Sequence, residues 1–441
     1  MRQETLTIVA RVVEAPPFPE LRAALARIAN DCVPGAGARP RIFADRALGI
    51  HFARIALLAE PIGSQYGSSV IFESNFDTDV VDAAQARQAH LELLCERVRA
   101  PLESVFSHCR GFDSVSSAEQ FAERLAQQQA LATAAYQGHA ERDLRRIRLE
   151  QHLRDVLLDY FSQAPKAMPR ELYHDAREYV RLRSASDPEL AGLDLDGPAP
   201  PLPDAGLRSK RLAAGKLPWL QNLPSDLVAY LLGELKNIFS WQRSDEQYDQ
   251  RARQEAWTDA DLRSFAELAE SEDHALQNAL THLVALKGPE RLGVLKGVHG
   301  YIDAMAKHHF DDIGQLGGIP TIHFAKWLLI DDESRLLFLS NYDSSWESYL
   351  GDFVDRAALG LNLAWTCTRE YPRTFLLALL GATDEERFKA WSRAQQRPTA
   401  VFYTAYPELS IAALNNNTWI RCGLHRPPGA ADLRAWFRRL T

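Results

Sequence analysis

The stretch Ile322–Asp355, IHFAKWLLIDDESRLLFLSNYDSSWESYLGDFVD, rewrites Ile50–Asp82, IHFARIALLAEPIGSQYGSSVIFESNFDTDVVD. Ile50-His51-Phe52-Ala53-Arg54 matches Ile322-His323-Phe324-Ala325-Lys326, and Phe72, Ser74, Asn75 and Asp77 match Phe338, Ser340, Asn341 and Asp343. An internal match of this length implies duplication, two halves with one element order and related sheets. The matched blocks lie further apart in the first half, so its hairpin loop, at Pro61 to Ser68, is expected to be the longer one.

The flanking patterns supply that order. Thr5 to Val13 alternates as a strand, and Leu21, Leu25 and Ile28 recur at helical spacing until Pro34-Gly35. Ile50 to Ala59 and Ser69 to Ser74 read as paired strands, followed by a helix from Ala83 to about His108. In the C-terminal region, Ala279 to Leu286 reads as a strand and Arg291 to Phe310 as a helix. Thr321–Ile330 and Arg335–Ser340 pair across DDES, a helix follows Asp343 with Ser344 and Glu347 at capping-box spacing, and Thr399 to Tyr403 is a strand. Strand–helix–strand–strand–helix–strand is the ferredoxin-like order. The expected fold class is α+β: two ferredoxin-like repeats forming an intramolecular α+β barrel, with a large helical insertion. The first repeat is expected over residues 1–110, the insertion over 111–276 with a Pro-rich loop at 194–206, and the second repeat with a C-terminal helix over 277–441. No fourth N-terminal strand is legible before about residue 115.

Composition excludes some functions. With 441 residues, 46% hydrophobic and 24% charged, the chain can bury a large core. A net charge of -8 argues against nucleic acid as a partner. Cys32, Cys95, Cys109, Cys367 and Cys422 are scattered and have no C-x-x-C spacing, which fits a reducing compartment. The N-terminus lacks the pattern of a signal peptide, and no apolar run is long enough to span a bilayer, so a cytoplasmic location is expected.

Candidate site residues fall into three groups. Ser, Asn and Asp of the repeated SN[FY]D suit a strand-to-helix turn, where they cap free N–H groups. His51 and His323 each begin a strand; a two-residue period puts His323 on one face with Ala325, Trp327 and Leu329. A buried, hydrogen-bonded histidine is expected there ahead of a ligand. In the helix Arg291–Phe310, Leu295, Val298, Ile302 and Met305 form an apolar stripe; His309 lies in its middle, His299 at its edge and His308 to the side. A histidine in such a stripe is most often satisfied by a backbone carbonyl or a neighbour, and it is also what an axial haem ligand looks like. Phosphate-loop, dinucleotide, zinc-helix and nucleophile-elbow motifs are absent.

The duplicated pattern, over about residues 1–110 and 277–425, resembles the dimeric α+β barrel superfamily, which includes dye-decolourising peroxidases and chlorite dismutases. That resemblance implies a haem-dependent oxidoreductase, with His309 as the metal ligand and His299, His308 or His323 as further cofactor-binding residues. Arg335, Arg369 and Asn341 are then the candidate catalytic groups that polarise an oxidant. The peroxidases' distal Gly-x-x-Asp-Gly is absent, so no distal Asp carries over. A second expectation is a non-catalytic binding protein with a small-molecule or lipid-like ligand. Its helical insertion would dock on a membrane surface or a protein partner through Leu217–Trp241, with Trp219, Tyr230, Phe239 and Trp241 as anchors.

Overall fold

The structure is a computed structural model that describes residues 1–32, 42–113, 115, 117–163, 168–201, 241, 259–306, 316, 318–425 and 429–440. The first half runs β1 (Arg2–Arg11), a helix (Pro19–Cys32), β2 (Ile50–Leu58), β3 (Ser69–Thr78), helices Ala83–Arg97, Arg99–Phe106 and Ala118–Gln127, and β4 (Ala132–Gln137). The second runs β5 (Gln277–Ala285), a helix (Leu292–Met305), β6 (Ile322–Ile330), β7 (Arg335–Asp343), a helix (Trp346–Trp365), a ribbon of β8 (Thr374–Phe375) and β9 (Leu379–Leu380), a helix (Glu385–Gln395) and β10 (Thr399–Thr404). The fold is mixed α+β with antiparallel sheets.

Each sheet takes one strand from the other half of the chain. One sheet has the order β1-β3-β2-β10 and the other β4-β6-β7-β5. β4 lies inside the span that the sequence assigns to the insertion; its ATAAYQ is too short and too alanine-rich to announce a strand, yet it pairs with β6 from Ala132↔Leu328 to Gln137↔Phe324. The sheets also meet at two seams. The chain just before β4 bonds to β1 (Val9 N–H to Gln128 O, Ala130 N–H to Thr7 O, both 2.9 Å), and the chain just before β10 bonds to β5 (Arg397 N–H to Thr281 O, 2.8 Å).

Local chemistry sets the boundaries. The expected helix Ala83–His108 is two helices that break at Val98, and Pro101 sits in the first turn of the second, where its missing N–H costs nothing. The helix after β7 is capped by Ser345, whose side chain accepts from Ser348 N–H. The expected cap, Ser344, instead turns the chain with φ +74°. The β2–β3 connection spans 59–68 and the β6–β7 connection 331–334, so the first-half loop is the longer.

Three layers result. Leu6, Ile8, Ile55 and Phe72 back the first sheet onto its helices, and Leu336, Phe338, Trp327 and Ala325 do so for the second. Between the sheets lie Ala56, Leu58 and Ile71 from one side and Leu283, Leu328, Leu337 and Leu339 from the other. A separate cluster joins the helices Leu144–Gln163, Pro169–Ser184, Ile411–His425 and Ala430–Phe437. No described helix is long and apolar enough to cross a membrane.

Gly138, just past β4, donates its N–H to His323 O at 2.7 Å. A Cβ on it would lie 2.2 Å from Ile322 O, a clash with backbone that nothing flexible relieves. Gly138→Ala is expected to lower stability by about 1–3 kcal/mol, the usual range for overpacking, read as a fall in the urea midpoint.

Candidate functional site

The repeated histidines do not follow the plain alternation of their strands. β2 and β3 shift register between Ile50 and Phe52, and β6 and β7 between Ile322 and Phe324. A bulge turns the extra residue towards the side of its neighbour. His51 therefore joins Phe52, and His323 joins Phe324, on the face between the sheets. The expected grouping of His323 with Ala325 and Trp327 fails for that reason; those two lie on the outer, helix-covered face.

Each histidine meets the aspartate of its own repeat. His51 Nε2 is 2.8 Å from Asp77 Oδ1, and His323 Nε2 is 2.7 Å from Asp343 Oδ1. The second carboxylate oxygen of each caps a distant helix: Asp77 Oδ2 accepts from Leu144 N–H and Asp343 Oδ2 from Ile411 N–H, both at 2.7 Å. The aspartates thus act as caps, though not of the helices that follow them in sequence. Gln3 and Gln277 complete the parallel. Each is buried, approaches its histidine (3.4 and 3.5 Å) and donates to a carbonyl, Arg142 O and Leu409 O respectively.

Two residues that the repeat does not match link the halves. Tyr406 Oη lies 3.2 Å from His51 Nδ1 and 3.1 Å from His139 Nε2, and His139 Nε2 lies 3.3 Å from His323 Nδ1. The result is a continuous buried chain, Asp77–His51–Tyr406–His139–His323–Asp343. A carboxylate oxygen accepts, so His51 and His323 donate Nε2–H to their aspartates. Burial, with His323, His51 and Arg142 adding to it, pushes the His139 pKa well below the usual value.

Deeper between the sheets lies an ion cluster. Arg54 Nε contacts Glu73, its other nitrogens donate to Leu280 O (2.7 Å), Thr281 Oγ1 (3.2 Å) and Ser340 O (2.8 Å), and it also reaches Asn341 Oδ1. Lys326 Nζ lies 3.0 Å from Glu73 and donates to Thr5. Burial alone would raise the Glu73 carboxyl; Arg54 and Lys326 outweigh it and hold the group below the ordinary carboxylate range.

The candidate catalytic groups do not converge. Asn341 belongs to this cluster. Arg335 is at the other end of β7, paired with Glu60 and Asp331 and stacked over Tyr66 at 4.1 Å. Arg369 is exposed, its Nε bonded to Leu286 O at 3.2 Å. His308 and His309 lie outside the described residues, as does Leu217–Trp241 apart from its last residue. Trp241 is buried in the second-half core with Arg291 over its ring at 4.7 Å, so it is no membrane anchor. His299 is buried against Trp327; Thr133 Oγ1 lies 2.7 Å from its Nδ1 and its Nε2 has no partner among the described residues. The sheet face beside it carries Trp327, Phe338 and Trp365, with Phe338 in contact with both tryptophans (4.8 and 5.3 Å between ring centres). Among the described residues no group of three or more His, Cys, Asp or Glu is arranged to hold a metal ion. All five cysteines are buried, and none is in a disulfide.

No family model matches the chain, and neither curated proteins nor solved structures give a match.

The buried imidazoles make stability pH-dependent. His90, His282 and His299 are pushed by burial to about 3, and His139 is lowered as well. Unfolded, each titrates near its ordinary value of about 6.5, so below that pH the unfolded chain binds more protons. Their contribution is fully present above about pH 6.5 and is lost as the pH falls. The urea midpoint is expected to drop steadily from pH 7 to pH 5, and His139→Gln is expected to flatten that slope. Separately, Asp343→Ala strands His323 Nε2–H and Ile411 N–H, at roughly 1–3 kcal/mol for each buried donor, which calorimetry would register as a lower Tm.

Proposed function

We propose that the chain consists of two ferredoxin-like repeats that exchange their fourth strands and close into an intramolecular α+β barrel, and that this barrel is a scaffold for binding in place of a catalytic chamber. The matched strand order, the matched bulges and the matched Gln–His–Asp sets support the duplication. The two seams support closure. The observation that carries the binding reading is the occupied interior. The space between the sheets is filled by Arg54, Glu73, Lys326, the histidine chain and the apolar cluster, each engaged by the others and shut off from solvent. Among the described residues the charged groups there already have partners, and only Gln3 Oε1, Gln277 Oε1 and Asn341 Nδ2 of these sets are left without one.

A haem-dependent oxidoreductase is the second reading, and the unpartnered, buried His299 Nε2 favours it. Hemin titration separates the two. The scaffold reading expects no saturable Soret band at one hemin per chain and no rise in Tm with added hemin. A stoichiometric band that survives gel filtration and vanishes in His299→Ala would overturn it.

A further inference from the structure

The ribbon of β8 and β9 stands apart from everything described so far. Phe375, Leu376, Leu379 and Leu380 expose 44%, 37%, 48% and 59% of their surface within one short turn, while Leu377 between them is buried. Two-residue strands do not hold themselves together in water. This ribbon is held from beneath. Asn362 Nδ2 donates to Ala378 O (2.7 Å) and Leu380 O (2.8 Å), and its Oδ1 accepts from Tyr371 O–H and Ala382 N–H, both at 2.9 Å. Gly381, at φ +56°, presses so close that a Cβ would lie 2.2 Å from Asn362 Oδ1. Leu376, Leu377 and Leu380 all have positive φ, at 50°, 64° and 64°. Branched residues take positive φ only when their surroundings impose it, and such strain gathers at functional sites. The chain thus spends one fully satisfied buried asparagine and three strained leucines on keeping four apolar side chains in water.

We infer that the 374–380 hairpin is a membrane-docking prong whose Phe375, Leu376, Leu379 and Leu380 enter the boundary between lipid headgroups and acyl chains. The inference rests on the binding reading above and names its partner as a lipid bilayer. Two features select that occupant. The tip is small and formed by one turn, whereas a stable protein interface takes about 800 Å² and roughly 20–30 residues a side; a bilayer admits a lone apolar tip without a matching surface. The approach to the tip also carries exposed Arg369 and Arg373, with Arg373 O accepting from Gly381 N–H at the ribbon's base. The Arg369 guanidinium there suits a lipid phosphate. The neighbouring carboxylates are largely engaged: Glu370 accepts from Gln395 (3.0 Å), Asp384 caps its own helix and Glu385 pairs with Lys389 (2.6 Å).

Vesicle flotation of the full chain tests this, using phosphatidylcholine vesicles with and without phosphatidylserine. Phe375→Glu/Leu379→Glu alters an exposed cross-strand pair and should keep the parent Tm. The parent is expected to float, and the double variant to lose at least about tenfold in partitioning, since two apolar side chains no longer leave water. Arg369→Gln should weaken the preference for phosphatidylserine. A parent that floats with neither vesicle, or a Glu variant with parent Tm that floats as well as the parent, overturns the inference. A parent that fails to float but dimerises, with the dimer lost in the Glu variant, also overturns the lipid partner while leaving the binding reading intact. A stoichiometric hemin Soret band would remove the binding reading whatever the vesicles show.

Discussion

One carboxylate holds the centre. Glu73 answers Arg54 from its own half and Lys326 from the other, and Arg54 in turn crosses to Leu280 O, Ser340 O and Asn341 of the second half. Three ions buried this deeply are tolerable only because every one has partners; removing a single partner from a buried pair costs about 3–5 kcal/mol. The residue matching Glu73 in the second half is Leu339, which packs with Leu337 and Leu328 in the apolar cluster. The repeat is therefore symmetric in backbone and asymmetric in charge. A second glutamate at that position would have met two cations already neutralised in part, and a second leucine would have left both unanswered.

Above this cluster the symmetry returns. Each Gln–His–Asp set uses one carboxylate oxygen to hold a histidine and the other to start a helix far along the chain, 67 residues on in the first half and 68 in the second. The two helices that begin there pack together with Pro169–Ser184 and Ala430–Phe437. Sheet interior and helical layer are thus coupled through two short side chains. His139 and Tyr406, which differ between the repeats, then join the sets across the middle.

Much of the fold was legible because the repeat is written in residues that serve the backbone. Strands β1, β2, β3, β5, β6, β7 and β10 follow from alternation, and the loop-length difference follows from spacing within the match. The misses have physical causes. β4 draws its stability from β6 and not from its own Ala-rich sequence. The bulges that re-aim His51 and His323 depend on pairing register, which no single strand encodes. Asp77 and Asp343 were legible as caps, but their targets lie too far along the chain to be found by spacing. Of the interior groups, Gln3 and Gln277 left a faint signal, standing 48 and 46 residues before their histidines. His139 and Tyr406 lie outside the matched blocks, so the repeat does not point to them.

The pairing of β10 with β2 also dictates a history for each molecule as it is made. β2 completes its sheet only when β10 arrives, roughly 340 residues later in the chain. At about 5–20 residues per second, the ribosome leaves that strand edge open for some tens of seconds. Throughout that interval a nascent first half carries an unpaired, apolar edge that any other extended chain can join. Neither half can finish alone, so the long-range pairing that locks the mature protein also makes its birth slow and dependent on what shields that edge.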